Sequence, residues 1–190
     1  MLSAVLAVAL SGATVAVSDS RCNDIWINRI QGELQNFANH PAPAAQQNQR
    51  GVAIVQAQSD AEQEEVVLQG VCPEGDFPPY AARLFAIDAW GDLLVQRNIT
   101  ASGGGPCPNA EKAIMAASAA SAWYKLGEAS QVTPPPKLVA TLLPQVQALA
   151  TEADLALPSF AEASAFWEQK YETAAKEAIA ACGAQTPLPK

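Results

Sequence analysis

The sequence predicts an α+β protein: an N-terminal helix, a small antiparallel β-sheet of two hairpins, then three helices packed on one face. Three observations carry this. GVAIVQAQ at residues 51–58 and EVVLQGVC at residues 65–72 are short, β-branched runs with strand character. Apolar residues 84–87 and 93–95 flank Asp88-Ala89-Trp90-Gly91-Asp92, where Asp suits the first position of a turn and Gly the left-handed position after it. Beyond residue 109, apolar residues recur at helical spacing between Pro and Gly punctuation.

The elements follow in order. Residues 1–17 are apolar or small and bear no charged side chain, which fits the apolar region of a secretory signal. Thr14-Val15-Ala16 offers a small-x-small cleavage site and Ala16-Val17-Ser18 a second, so residues 1–18 are set apart as a signal peptide. The usual Lys or Arg at the start is missing. Asn23 or Asp24 can cap a first helix with Trp26, Ile30, Leu34 and Phe37 on one face, ending near His40 because Pro41 follows. The first hairpin occupies residues 51–72; Ser59 with Glu62 is also a capping box, which leaves a helix open there. Residues 73–79 form a loop. The second hairpin spans residues 84–100, β-branched Ile99 and Thr100 favouring a strand. Its rival is a helix over residues 79–90, with Pro79 at its start and Gly91 past its end.

Residues 102–108 are a loop, after which Asn109 caps a helix that Gly127 ends. A Pro-rich spacer at residues 134–136 precedes a helix to about residue 152, with Leu138, Leu142, Val146 and Leu149 on one face and a kink at Pro144. Ser159 and Glu162 open the last helix, where Phe160, Trp167, Tyr171 and Ala174 face one way. The domain organisation is thus a signal at 1–18, an α+β core at 19–130, a C-terminal helical pair at 131–183 and a tail at 184–190.

The chain has 190 residues, enough for one domain, and a net charge of −8 at pH 7. Such a surface repels phosphate backbones, so nucleic acid is not expected as a partner, nor is stable membrane insertion of the mature chain. Cys22, Cys72, Cys107 and Cys182 are an even set behind a signal peptide, which reads as two disulfides. Three connectivities satisfy that count and the sequence does not choose. A meander would favour Cys72–Cys107, leaving Cys22–Cys182 to tie the ends of the mature chain.

No motif for catalysis, cofactor or metal stands. Ser102-Gly103-Gly104-Gly105-Pro106-Cys107-Pro108 lacks the Lys of a phosphate loop, and its prolines remove donors such a loop needs. His40 has no nucleophile motif beside it and suits the free carbonyls of a helix end. Asp88 and Asp92 could form an acid/base pair or a calcium site, but turn-forming Asp is commoner and calcium needs more oxygen ligands. Glu62, Glu64 and Glu65 read as a solvated connection. Asn98-Ile99-Thr100 is a glycosylation sequon of little weight. Trp90, on a turn, is the aromatic expected to be exposed, and Trp90, Asp88 and Asp92 are the candidate contact residues; Trp26, Trp123 and Trp167 are expected in the core.

The run from residue 84 to residue 136 resembles the C-terminal domain of the TonB/TolA envelope proteins. The parts are Phe85 to Asp88, the turn at Gly91, residues 93–100, Ser102-Gly103-Gly104, the small-residue helix at 110–120, Cys107 near its start and the Pro-rich exit at 134–136. A second placement of the same pattern falls on residues 24–100. The resemblance implies a periplasmic interaction module that contacts another envelope protein by strand addition at residues 91–100 or 51–58. The main expectation is therefore an exported, non-enzymatic interaction module, periplasmic or secreted. The alternatives are a helical ligand-binding or structural secreted protein, with an apolar cavity between its helices, and a carboxylate-dependent hydrolase.

Overall fold

A computed structural model describes residues 21–101 and 110–182. Among them there is no β-strand; the chain is a bundle of six α-helices. These are α1 (Ile25–Asn39), α2 (Gln47–Val71), α3 (Phe77–Ala101), α4 (Glu111–Ala129), α5 (Lys137–Glu152) and α6 (Ala163–Cys182). The α+β expectation is overturned, and with it both hairpins. The expected signal peptide, the loop at 102–108, the Asn109 cap and the tail at 184–190 lie outside the described residues.

Helix α3 is the axis. It packs on α4 and α2 most extensively, and on α1 and α5. From Leu84 to Val95 almost every side chain is buried, on all sides of the helix. A helix surrounded by protein has no polar face, so neither a 3.6-residue nor a 2-residue period is visible in its sequence. Pro78 and Pro79 fall in its first turn, where a missing N–H costs nothing. The helix then runs through Gly91 without interruption.

Gly91 serves packing rather than a turn. A Cβ there would stand 2.2 Å from Gln58 Cγ and 2.5 Å from Gln58 Cδ. The absent side chain is what lets α2 lay Gln58 across α3. Gly127 is likewise inside α4 rather than past its end, with the Phe160 ring 3.0 Å from where its Cβ would be.

Helix α2 absorbs both expected strands and the polar segment between them. Its buried positions Gln47, Ile54, Ala57, Gln58, Ala61 and Leu68 recur at helical spacing. Val52, Val55 and Val66, which gave the strand signal, lie exposed on the opposite side. Between them the Ala-, Gln- and Glu-rich residues 56–65 are strong helix formers.

The remaining helices match their sequence signals more closely. α1 starts and stops where its punctuation placed it, and buries Ile27, Ile30 and Leu34. α5 carries Pro144 inside it and buries Leu142 and Val146. α6 follows a 3₁₀ turn at Phe160–Glu162, where Ser159 Oγ donates to Glu162 Oε2 at 2.8 Å. α4 bridges α3 on one side to α5 and α6 on the other.

Cys22 and Cys72 form a disulfide. Because residues 47–71 are one helix rather than a hairpin, the chain returns along α1 and brings its end back to α1's start. Neither Cys72–Cys107 nor Cys22–Cys182 is formed. Cys107 and the Cys182 side chain lie outside the described residues. Closing a loop of this length, with a sequence separation of 50, is worth about 4 kcal/mol in the loop-entropy account.

Candidate functional site

Asp88 and Asp92 are four residues apart on α3, so both carboxylates leave the same face. That face meets α4 at Lys125. Its Nζ lies 2.9 Å from Asp88 Oδ2 and 2.9 Å from Asp92 Oδ2. From α2, Gln58 Nε2 donates to Asp88 Oδ1 at 3.0 Å and to Asp92 Oδ1 at 2.8 Å, and also approaches the Asp88 carbonyl at 3.2 Å. Three helices therefore meet on one buried polar centre, the Lys125 side chain being 8% exposed and that of Asp92 2%.

The centre holds one cation against two carboxylates. Burial pushes Asp88 up to about 6 from an ordinary value of 3.8, with Asp92 and Glu62 adding to the rise and Lys125 opposing it. For Lys125 burial works against the charge, but Asp92 and Asp88 outweigh it and hold the ammonium well above its usual range. With Asp88 protonated, the centre is a neutral Lys125–Asp92 pair; with Asp88 ionised, it carries one net negative charge. An acidic rim reinforces this. Glu65 on α2 is raised by burial and by Glu62 and Glu128, and Glu64 by burial.

Chemically the centre is closed. All four carboxylate oxygens are taken by Lys125 and Gln58, and the crevice beside Asp88, between Ala61, Glu65 and Phe85, holds only about 10 Å³. No molecule of substrate size fits there. Among the described residues no three His, Cys, Asp or Glu side chains are grouped to hold a metal. The arrangement fixes the register of α2, α3 and α4.

A roomier concavity lies between the C-terminal half of α3 and α5. This cleft measures about 520 Å³ and is walled by Leu93, Gln96, Arg97, Pro144, Gln145 and Leu149. Its volume lies within the range of small-molecule sites. Gln96 is only 2% exposed, yet neither its Oε1 nor its Nε2 has a hydrogen-bond partner. An unpaired buried amide is costly to keep. Beside it, Arg97 Nη2 donates to Gln145 Oε1 at 2.7 Å across the cleft.

The sequence candidates fall as follows. Asp88 and Asp92 are brought together, but in the core and against Lys125, not at a turn. Trp90 is 6% exposed and belongs to the hydrophobic core, so it is not available as a contact residue. Trp26, expected inside, is 52% exposed, and the Arg29 guanidinium sits 4.9 Å over its ring. His40 is exposed at the end of α1, its Nδ1 3.1 Å from the Asn36 carbonyl, as its position implied. Asn98 of the sequon is buried inside α3 and donates to the Gln47 carbonyl, out of reach of a glycan. Glu62, Glu64 and Glu65 belong to a helix rather than a connection. Gln58, Lys125, Gln96 and Arg97 were not singled out from the sequence. Only the four-residue spacing of Asp88 and Asp92 hinted at a shared partner.

No family model, curated protein or solved structure matches the chain.

Proposed function

We propose that the protein is exported and works by binding a small ligand in the cleft between α3 and α5, without covalent chemistry of its own. The observation that carries this is the cleft itself, about 520 Å³ in volume and walled in good part by the apolar side chains of Leu93, Pro144, Ala148 and Leu149. The disulfide Cys22–Cys72 favours an oxidising compartment outside the cytoplasm, in line with the signal-like residues 1–18. The strand-addition mode of an envelope module is set aside, since residues 51–58 and 91–100 are helix interiors.

The test is a neutral apolar fluorophore, N-phenyl-1-naphthylamine. The expected result is saturable fluorescence enhancement that is lost in Ala148→Trp, which fills the cleft wall from α5. No enhancement, or enhancement indifferent to Ala148→Trp, would sink the reading. A second reading, contact with another envelope protein, is favoured by exposed Val52, Val55 and Val66 along α2. Val55→Lys would then abolish co-purification with that partner while leaving fluorophore binding intact.

A further inference from the structure

We infer that the outer face of α2 docks a basic amphipathic helix of another protein; this rests on the second reading above, to whose partner it gives a chemistry, and not on the cleft. α2 packs against α3 on one side and α1 on another. At about 100° per residue, its remaining side holds Val52, Val55, Ser59, Gln63, Val66 and Gly70. Val52 is 72% exposed and Val66 70%. Of the eight large apolar side chains exposed among the described residues, six lie on α2 or at the start of α1, so the apolar surface is gathered rather than scattered. Ile25 and Trp26 of α1 border the same face at Val67. Between the valines the seam stays uncharged, with Gln63 Nε2 donating to Ser59 Oγ at 3.3 Å. Beside Gly70 there is open space, which lets a partner's backbone come close. The spacings of three and four residues match the repeat of a second helix laid along the first, over roughly 21 Å from Val52 to Val66.

The flanks of that seam decide what the partner helix carries. α2 has four carboxylates, Asp60, Glu62, Glu64 and Glu65, against one cation, Arg50. Arg50 lies toward the other end of the helix and donates to the Phe37 carbonyl. Among the described residues none of the four carboxylates forms an ion pair, so they are open to a partner's cations. Glu62 and Glu65 border the seam on the α3 side, at the crevice beside Phe85. Glu64 borders it on the α1 side, in the hollow that Trp26 and Val67 line. Glu128 of α4 adds to the first flank: after burial, it and Glu62 hold Glu65 above the usual carboxylate range. An apolar seam between acidic flanks complements a helix whose apolar face is bordered by Lys or Arg. A second copy of this chain would instead lay acid against acid, whichever way the two α2 helices run, and an anionic lipid surface would meet the same repulsion.

The experiment is fluorescence anisotropy of a fluorescein-labelled synthetic peptide titrated with the full chain. The peptide has five helical turns, about 18 residues of leucine and lysine, with the leucines along one face. Two companions keep the leucines and carry glutamine or glutamate in place of lysine. The lysine peptide should bind saturably and about tenfold more tightly than the glutamine peptide, and the glutamate peptide should not bind. Glu62→Gln with Glu64→Gln should weaken the lysine peptide about fivefold at low salt, a difference that vanishes at high salt. Val66→Ser should weaken it about tenfold, and Ile179→Ser, on the exposed surface of α6, should leave it unchanged. Circular dichroism checks the fold of each variant, and fluorophore binding in the cleft should be the same in all of them. Equal binding of the lysine and glutamine peptides, both weakened by Val66→Ser, would overturn the partner's charge while leaving the face a docking surface. No binding, or binding indifferent to Val66→Ser, would overturn the second reading as well. A dimer in sedimentation equilibrium that Val66→Ser breaks would assign the face to a second copy. Peptide binding that appears only after removal of residues 1–18 would assign it to that segment. Either result overturns the proposal.

Discussion

Replacing Gly91 by Ala separates two explanations of that glycine. If it were a weak point in α3, Ala would stabilise the helix by about 1 kcal/mol through propensity alone. The geometry demands the reverse. The new Cβ would stand 2.2 Å from Gln58 Cγ and 2.5 Å from Cδ, where carbon atoms ordinarily rest about 3.5–4.0 Å apart. Both atoms are near the root of a side chain only 9% exposed, so a small torsion does not clear them. Either α2 moves off α3, or Gln58 turns out and abandons Asp88 Oδ1 and Asp92 Oδ1. Each hydrogen bond to a carboxylate is worth about 1.5–3 kcal/mol, so losing both and gaining the propensity leaves a net loss of about 2–5 kcal/mol. In a Gln58→Ala background those atoms are gone, and the same substitution should fall within about 1 kcal/mol of neutral. The assay is urea unfolding of all four proteins by far-ultraviolet circular dichroism, compared at constant m-value. Stabilisation by Gly91→Ala alone, or an equal loss with and without Gln58, would refute the reasoning.

The buried centre also sets a pH dependence. Asp88 is raised to about 6 from 3.8, so in that window the folded chain keeps a proton that the unfolded chain has lost. Its contribution is full below the lower value and is lost as pH rises through the upper one, a loss on the order of 2–3 kcal/mol between about pH 4 and 7.5. Glu64 and Glu65, also raised, act in the same sense. Exposed Asp24 is lowered by Asn28 and Arg83 and exposed Asp154 by Lys112, and they pull the other way in the acid range. Urea midpoints should therefore fall from mildly acidic to neutral pH, and Asp88→Asn should flatten the profile; a midpoint that rises over the same range contradicts the centre's charge count. Gln96→Leu should raise the stability of the ligand-free chain by about 1–3 kcal/mol, since it removes an unpaired buried amide; a lowered thermal midpoint would show that Gln96 has a structural partner. Peptide mapping without reduction should recover Cys22 joined to Cys72. Free thiols at Cys22 and Cys72 would refute that bridge.

How far this fold could be read from sequence depended on where each helix keeps its polar residues. α1, α5 and α6 each show one face to water, and their boundaries and many of their core residues were legible. α2 and α3 concealed themselves in opposite ways. In α2 the valines that suggested strands are on the solvent side, while two glutamines, Gln47 and Gln58, are among the buried residues. In α3 protein covers every side from Leu84 to Val95, and the polar residues of that stretch are internal partners rather than a wet face. Asp88 and Asp92 have turn chemistry and Gly91 has turn freedom, but all three are selected here by a neighbour: Lys125 for the carboxylates and Gln58 for the glycine. A residue type chosen by a partner thirty or more positions away carries no local mark of that choice. The same holds for the cleft, where Gln96 and Arg97 are adjacent and unremarkable until α5 is laid against them. One local signal did survive. A pair of Asp residues four apart in an otherwise apolar run is helical spacing, and two carboxylates on one buried face require a cation. Lys125 is the only Lys or Arg in α4 beyond Lys112 in its first turn, and the helix is otherwise rich in Ala and Ser. The excess carboxylate over cation in that core is then what makes Gln58 necessary, and Gln58 in turn is what makes Gly91 necessary.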